Sequence, residues 1–256
     1  MDILWNALLV SFVINMVMFL VAYKLQSDRL TDISYATTFF VLSMYGLSIS
    51  NKSFFHIVLF LLIALWAIRL GGFLLYRVVR VGKDTRFDKM RSSFVKFGWF
   101  WVIQATTVWV LMIASLFAFL STTEPSLLWI AGLLVAVMGL AIESIADMQK
   151  FRFSSNPKNK GKWIDEGLWH YSRHPNYLGE IMMWTGVYLY VATSLTMHEA
   201  VLGAVSPLFI LLMLLFVSGV PILEKNSDKK WGDLAAYRKY KASTSPLLIL
   251  PKKSNR

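Results

Sequence analysis

Long apolar segments recur throughout this chain of 256 residues. Six of them reach about twenty residues, the length that a helix needs to cross a bilayer. They occupy residues 3–23, 54–76, 98–120, 127–146, about 175–196 and 201–222, and a shorter seventh segment occupies 33–48. Because backbone polar groups in lipid must be satisfied within the segment itself, we expect each segment to be a helix. The sequence thus predicts an all-α, polytopic membrane protein with seven transmembrane helices in a single domain, residues 1–256.

Basic residues are distributed unevenly between the connecting segments. Seven spans would place four segments on one side of the membrane, and these contain 24 of the 26 lysine and arginine residues. The four segments are 24–32, 77–97, 147–174 and 223–256. Since basic segments tend to remain in the cytoplasm, we expect the N-terminus outside and the C-terminus in the cytoplasm. The membrane would be the inner or plasma membrane of a bacterium, or the endoplasmic reticulum of a eukaryote.

Composition narrows the classes of partner and chemistry. The chain has no cysteine, which excludes thiolate nucleophiles, iron–sulfur clusters and cysteine-based zinc sites. Its net charge of +11 follows largely from topology, so we expect no nucleic acid partner. The expected partners are the lipid bilayer and a lipophilic small molecule, and no pattern indicates a protein partner. The basic segments 77–97 and 147–174 are long, which favours a site on that face. The basic residues of 150–162 could bind phosphates or anionic lipid.

The segment Gly167-Leu-Trp-His-Tyr-Ser-Arg-His-Pro-Asn-Tyr-Leu-Gly-Glu180 carries most of the functional information. Pro175 suits the first position of a helix, with the preceding histidine at or near its cap. The N–H groups of that helix start and Arg173 would form a site for an anion such as a pyrophosphate. Asn176 and Glu180 are four residues apart, so they share a helix face just below it. The alternative is that Arg173 binds lipid phosphates and Glu180 caps a helix or forms an ion pair.

Other charged residues in or near the apolar segments are further candidates. Asp147 follows Glu143 by about one helical turn, and such a pair could bind a ribose hydroxyl, orient an arginine or simply end a helix. Arg69 and Arg80 are eleven residues apart, so both could point into one cavity if the helix continues. Snorkelling to the interface also explains Arg69. Asp32 either caps a helix or polarises a substrate carbonyl.

The segment 167–180 resembles the C-terminal signature of the steroid 5α-reductase family and its bacterial relatives, the DUF1295 group. The likeness extends back to Asp147 and more weakly forward to the aromatic residues of the tail, so it covers about residues 127–256. Known members of the family are seven-helix reductases that use NADPH to reduce the 4-ene double bond of 3-oxo-steroids. The resemblance therefore implies NADPH-dependent reduction of a carbon–carbon double bond conjugated to a carbonyl in a lipophilic substrate.

The resemblance implies two sets of site residues. Asp32 and Trp66 would form the catalytic contact with the substrate carbonyl. They stand where the steroid reductases have a glutamate and a tyrosine, and Thr31 stands in place of a glutamine. NADPH would be bound by Arg69, Arg80, Asp147, Lys162, Tyr171, Arg173, His174, Asn176, Tyr177, Glu180 and Tyr240.

Two other functions are compatible with parts of the sequence. Isoprenylcysteine carboxyl methyltransferases, which bind S-adenosylmethionine, also carry an Arg-His-Pro-x-Tyr-x-Gly run. They usually lack the asparagine and the Gly-Glu pair that this chain has at 176 and 179–180. A non-catalytic lipid-binding or transport protein would instead use the charges within the membrane to line a path. The sequence has no GxGxxG or P-loop pattern, so a nucleotide would be held by helix ends and basic loops.

Overall fold

The computed structural model describes residues 2–81, 88–122 and 125–252, except for the side chains of 78–81, 88 and 89. Helices make up most of this part of the chain, which confirms the all-α prediction. In chain order they are α1 (Asp2–Lys24), α2 (Arg29–Ile49), α3 (Phe54–Val81), α4 (Asp88–Arg91), α5 (Phe94–Ala118), α6 (Leu127–Ser155), α7 (Pro175–Val191), α8 (Met197–Gly203), α9 (Val205–Leu212), α10 (Val220–Trp231) and α11 (Ala235–Ser243). A π-helical turn, Met213–Val217, follows α9.

Five helical segments of the described chain are long and apolar enough to span a membrane. They are Asp2–Lys24, Phe54–Arg77, Phe94–Ala118, Leu127–Ser155 and Met197–Trp231, the last of which contains α8, α9 and α10. α7 has only 17 residues, and α2 has 21 residues but contains six serines and threonines. The helices indicate a multi-pass membrane protein. Seven spans, the orientation and the particular membrane stay predictions.

Two helices extend further than the apolar segments predict. α6 continues to Ser155, because residues 147–155 contain neither glycine nor proline and Pro157 is the first helix breaker. The predicted loop 147–174 therefore begins later, and the interpretation that Asp147 ends a helix is wrong. α3 continues to Val81, as a shared helix face for Arg69 and Arg80 requires, but the side chain of Arg80 lies outside the described residues.

The chain forms two compact units, which are described separately. The first comprises Met1–Ile130 and Val187–Ser206. Its helices α1, α2 and α5 share a buried polar network centred on Asn15. The amide oxygen of Asn15 accepts hydrogen bonds from Gln104 Nε2 at 2.8 Å and Ser34 Oγ at 3.1 Å, while its amide nitrogen donates to Thr38 Oγ1 at 3.1 Å. Because buried polar groups need partners, this network fixes the three helices relative to one another.

The second unit comprises Ala131–Gly186 and Pro207–Arg256. Its helices α6 and α7 pack with their backbones in close approach, since glycines face the contact. A Cβ atom on Gly139 would collide with the backbone of Met183, and one on Gly186 would collide with the backbone of Ala136. A Cβ on Gly179 would likewise collide with the α6 backbone. This close contact of small residues sets the position of the start of α7.

Candidate functional site: a cleft at the start of α7

α7 begins at Pro175, which confirms the prediction that this residue starts a helix. The backbone N–H of His174 donates to Ser172 Oγ at 3.2 Å, and that hydroxyl donates onward to Leu247 O at 2.7 Å. The N–H of Arg173 donates to Ser245 O at 2.9 Å. The helix start is therefore held by hydrogen bonds to the C-terminal segment, residues 244–252.

A cleft of about 160 Å³ opens beside this helix start, within the second unit. Its charged and imidazole-bearing lining residues are Lys150, Lys162, Arg173, His174 and Glu224. Its aromatic lining residues are Phe153, Trp163, Trp169, Trp231, Tyr237 and Tyr240. Ser154, Ile164, Leu223 and Ser227 complete the lining among the described residues. The cleft thus combines positive charge with flat aromatic surfaces.

Hydrogen bonds fix the orientation of the aromatic walls. Trp169 Nε1 donates to Ala146 O of α6 at 3.0 Å, and Trp169 O accepts from the hydroxyl of Tyr240 at 2.9 Å. Lys150 Nζ lies 4.5 Å from the centroid of the Trp169 ring, which is a cation–π contact. Trp231 Nε1 donates to Gly161 O at 2.6 Å. Residues from α6, the loop after it, α10 and α11 are thereby joined around one space.

Glu224 is the centre of the charged part of the cleft. One of its oxygens accepts from Arg173 Nε at 3.0 Å and from His174 Nε2 at 2.9 Å. Its other oxygen lies 3.1 Å from Lys241 Nζ, which also binds Asp228 at 2.7 Å. A single carboxylate on α10 therefore orients an arginine and a histidine at the start of α7 and a lysine on α11.

Burial and neighbouring charges shift the pKa of three groups at this site. Burial lowers the pKa of His174 below its usual value, although Glu224 acts in the opposite direction. The imidazole is then neutral at pH 7, and its proton lies on Nε2, which faces the carboxylate. Burial also raises the pKa of Tyr240, which keeps the phenol protonated as a donor. Burial opposes the charge of Lys241, but Asp228 and Glu224 more than offset it and raise the pKa of Lys241.

The electrostatics and size of the cleft limit what it can bind. Among its described lining residues, Lys150, Lys162 and Arg173 carry positive charge, and Glu224 carries a negative charge. The excess of cations favours an anionic group, and the rings favour a planar one. At about 160 Å³ the cleft is smaller than the several hundred Å³ typical of ligand pockets. It can therefore hold one part of a large ligand, such as one end of a dinucleotide.

Several of the residues predicted for the cofactor site lie at this cleft. Lys162, Arg173, His174 and Tyr240 line it together. Tyr177 does not line it but stacks on the His174 ring, with centroids 5.5 Å apart and planes 12° apart. Tyr177 therefore contacts a residue of the cleft lining without lining the cleft itself.

Other predicted residues of the second unit are not among the lining residues. Tyr171 is exposed, and its ring packs edge-on against His170. Asp147 and Glu180 are half-buried on α6 and α7. Asn176 is also half-buried, and its amide oxygen has no hydrogen-bond partner among the described residues. The structure thus brings only part of the predicted set to the cleft.

The predicted catalytic residues lie in the first unit. Asp32 forms an ion pair with Arg77, with 3.7 Å between Oδ2 and Nη2. α2 starts at Arg29 with Asp28 at the cap position, so the interpretation of Asp32 as the helix cap is wrong. Trp66 has no exposed surface and packs edge-on against Phe39, with ring centroids 5.0 Å apart.

Arg69 and Arg80 are the remaining predicted cofactor residues, and both lie on α3. Arg69 is half-buried in the middle of the helix. Arg69 is not among the described residues that line the cleft, and the side chain of Arg80 lies outside the described residues. Their assignment stays a prediction.

Sequence reasoning missed several residues of the cleft. Trp163 and Trp169 form walls, and Lys241 orients Glu224, yet none was predicted as a site residue. Glu224 itself offered a signal, because a lone carboxylate directly follows the apolar segment 201–222. Such a position is costly for a charge unless partners are present.

The helices and the cleft define a multi-helix membrane protein with a cationic, aromatic-lined cleft. The chain belongs to DUF1295, a protein family of unknown function, whose sequence profile matches residues 18–244. No curated protein and no solved structure matches the chain.

Proposed function

We propose that the protein is an NADPH-dependent reductase of a double bond conjugated to a carbonyl in a lipophilic substrate. A 3-oxo-4-ene steroid is the substrate class that the resemblance of segment 167–180 suggests. One observation carries the cofactor part of the proposal: the cleft that this segment lines has three cationic side chains and only one carboxylate among its described lining residues. A dinucleotide is polyanionic and has planar bases, so it matches both the charge and the rings.

The cleft residues have distinct roles under this proposal. Lys150 and Lys162 provide charge for phosphates, and the half-buried ring of Trp163 provides a surface for a planar ring. Tyr240 donates its hydroxyl to Trp169 O, so it shapes the wall. NADPH would supply a hydride to the β-carbon of the enone, and the α-carbon of the resulting enolate would then take up a proton from solvent.

The substrate carbonyl needs a hydrogen-bond donor when hydride addition places negative charge on its oxygen. We assign this part to Asp32 and Trp66. Arg77 lies 3.7 Å from Asp32, so the guanidinium of this pair presents N–H donors, whereas Asp32 would donate only in its protonated form. Trp66 can donate only through its ring N–H, and it is fully buried here, so direct contact would require its aromatic neighbours to move.

The test of the proposal is NADPH oxidation by the purified protein. In detergent or nanodiscs, the absorbance of the reduced nicotinamide should fall when a 3-oxo-4-ene steroid is added. Saturated 3-oxo steroids are the matched control, because they have the carbonyl but no conjugated double bond. The proposal fails if the protein shows no measurable binding of NADPH. It also fails if no enone from a broad panel of lipophilic compounds is reduced.

Asp32→Asn tests the catalytic assignment. We expect turnover to fall by about a hundredfold, the usual effect of losing an acid–base group, while NADPH affinity stays within about twofold. The exposed Asp233→Asn is the control for the same chemical change. Unchanged turnover in Asp32→Asn would remove Asp32 from the reaction.

A methyltransferase that uses S-adenosylmethionine is the second candidate. The aromatic rings and the carboxylate of Glu224 would suit the sulfonium cation, although the three cationic side chains would repel it. Thermal unfolding in detergent separates the two, because a ligand at a hundred times its Kd stabilises by about 2.7 kcal/mol. Stabilisation by S-adenosylmethionine but not by NADPH would establish the methyltransferase instead. If the protein neither binds a nucleotide nor turns over a substrate, a non-catalytic lipid-binding or transport function would be favoured.

A further inference from the structure

The segment that follows α11, residues 244–252, is attached to the signature segment, residues 167–180, and to the loop just before it. Ser172 and Ser245 form a parallel β-bridge. Leu250 N donates to Tyr171 O at 3.4 Å, on the same stretch of chain. Lys252 Nζ binds Asp165 at 2.8 Å. The tail after α11 therefore runs beside the start of α7.

The side chain of Arg173 makes the most specific of these attachments. Its Nη1 donates to Lys241 O and Thr244 O, both at 2.7 Å. These carbonyls lie at the C-terminal end of α11, where the last carbonyls have no partner within the helix. Its Nε donates to Glu224 on α10 at 3.0 Å. Three of the five N–H groups of a guanidinium are thus bound within the protein.

α10 and α11 supply one wall of the cleft. Glu224 and Trp231 come from α10, and Tyr237 and Tyr240 come from α11. Arg173 binds both helices at once, and its side chain is 13% exposed. Its fixed geometry leaves little of the guanidinium for a ligand but determines where this wall stands.

We infer that Arg173 is a positioning residue: it fastens α10 and α11 against the cleft and so sets the ligand-binding wall, while other cations contact the ligand phosphates. The inference rests on the proposed function only in the choice of NADPH as the ligand. It also departs from the expectation that Arg173 is itself the phosphate ligand.

The absence of cysteine makes a direct rescue experiment possible. Neighbouring extended segments lie about 4.8 Å apart, within the roughly 4.4–6.8 Å between Cα atoms that a disulfide spans. Ser172→Cys with Ser245→Cys should therefore link the tail to the signature segment, and the link can be opened with reductant. This pair is combined with Arg173→Gln, and a protein with the two cysteines and native Arg173 is the control. Thiol titration verifies that the disulfide forms.

The two possible roles of Arg173 predict different affinities for NADPH. We expect Arg173→Gln to weaken NADPH binding about tenfold or more, because charged hydrogen bonds are lost. A positioning role predicts that the oxidised disulfide restores affinity to within about threefold of its control, and that reductant abolishes the rescue. Affinity that stays low with the disulfide formed would overturn the inference, as would unchanged affinity in Arg173→Gln.

Limited trypsin digestion gives a second measurement that needs neither the disulfide nor NADPH. Arg173→Gln should increase cleavage at Arg238, Lys239 and Lys241, since α11 loses its attachment. Arg238→Gln is a matched control, because Arg238 also donates to two carbonyls, those of Gly232 and Asp233, but does not line the cleft. Cleavage at Lys239 and Lys241 that is equal in the two variants would overturn the inference. If the native protein shows no NADPH binding, the proposed function fails while the digestion still decides the role of Arg173.

Discussion

His174 shows how much one residue of the cleft depends on its neighbours. Its Nε2 donates to Glu224 at 2.9 Å, and its ring stacks on Tyr177. Burial keeps the imidazole neutral, so the carboxylate accepts a neutral N–H rather than pairing with an imidazolium. A polar side chain held this way can shape the cleft without adding to its positive charge.

The lowered pKa of His174 predicts a pH dependence of stability. Below the usual histidine value of about 6.5, the unfolded chain binds a proton that the folded protein does not, so stability falls as pH decreases. Above that value the imidazole is neutral in both states and contributes no dependence. His174→Gln retains a hydrogen-bond donor but cannot titrate. Between about pH 6.5 and about pH 5, the melting temperature of this variant should therefore decrease less steeply than that of the native protein.

Melting temperatures in detergent across this pH range provide the measurement. His198→Gln, at an exposed histidine of α8, is the control and should retain the native slope. Parallel slopes for the native protein and His174→Gln would contradict the neutral state of the buried imidazole.

For individual residues, the sequence predicted which side chains belong to the site better than it predicted what those side chains bind. Arg173 and His174 were predicted from a short segment with a recognisable helix start, and both line the cleft. The partners of these residues could not be predicted, because Glu224 is about fifty residues away and only the tertiary fold brings it near. The ion pair of Asp32 with Arg77 depends in the same way on how α2 and α3 pack.

The contact between α6 and α7 determines where the signature segment lies. Gly139, Gly179 and Gly186 allow the two backbones to approach closely, as small residues do between membrane helices. Pro175 then starts α7 at the edge of the cleft. Gly179 of the segment 167–180 thus has a packing role in addition to any role at the site.

Gly186→Ala should destabilise the protein by roughly 1–3 kcal/mol, because the added methyl group overpacks the contact with Ala136. Gly72→Ala is a matched control on α3, since a Cβ there has no atom within 4 Å. That control should be neutral or stabilise by up to about 1 kcal/mol, because alanine favours a helix. Thermal unfolding compares the two variants, and equal effects would contradict the close backbone contact.

The length of the apolar segments predicted which parts of the chain are helices, but it did not predict where each helix ends. The structure confirms a helix at each apolar segment from 3–23 to about 175–196, but α6 runs past its apolar part to Ser155. Polar residues continue a helix as well as apolar ones until a breaker such as Pro157 occurs, so hydropathy cannot mark this end. The interruption of the segment 201–222 by a π-helical turn had no signal in its hydropathy.

At the scale of the whole molecule, the distribution of basic residues predicts the membrane topology. If α2 spans the membrane, residues 26 and 52 lie on opposite sides, with 52 outside. The chain has no native cysteine, so Gln26→Cys, Lys52→Cys and Lys229→Cys can each be labelled singly in intact cells. An impermeant maleimide should label Lys52→Cys directly, and it should label the other two only after lysis. If Gln26→Cys and Lys52→Cys are both labelled directly, or both only after lysis, α2 does not span the membrane.

The central claim is that the cleft of the second unit binds NADPH through its cations. The most direct measurement is the Kd for NADPH of the double variant Lys150→Ala/Lys162→Ala. Its control is Lys158→Ala/Lys160→Ala, which removes the same charge at residues that lie between those two in the sequence but do not line the cleft. We expect the first pair to lose affinity by about tenfold or more, and the second by less than about threefold. Equal losses in the two variants, or no NADPH binding by the native protein, would contradict the claim.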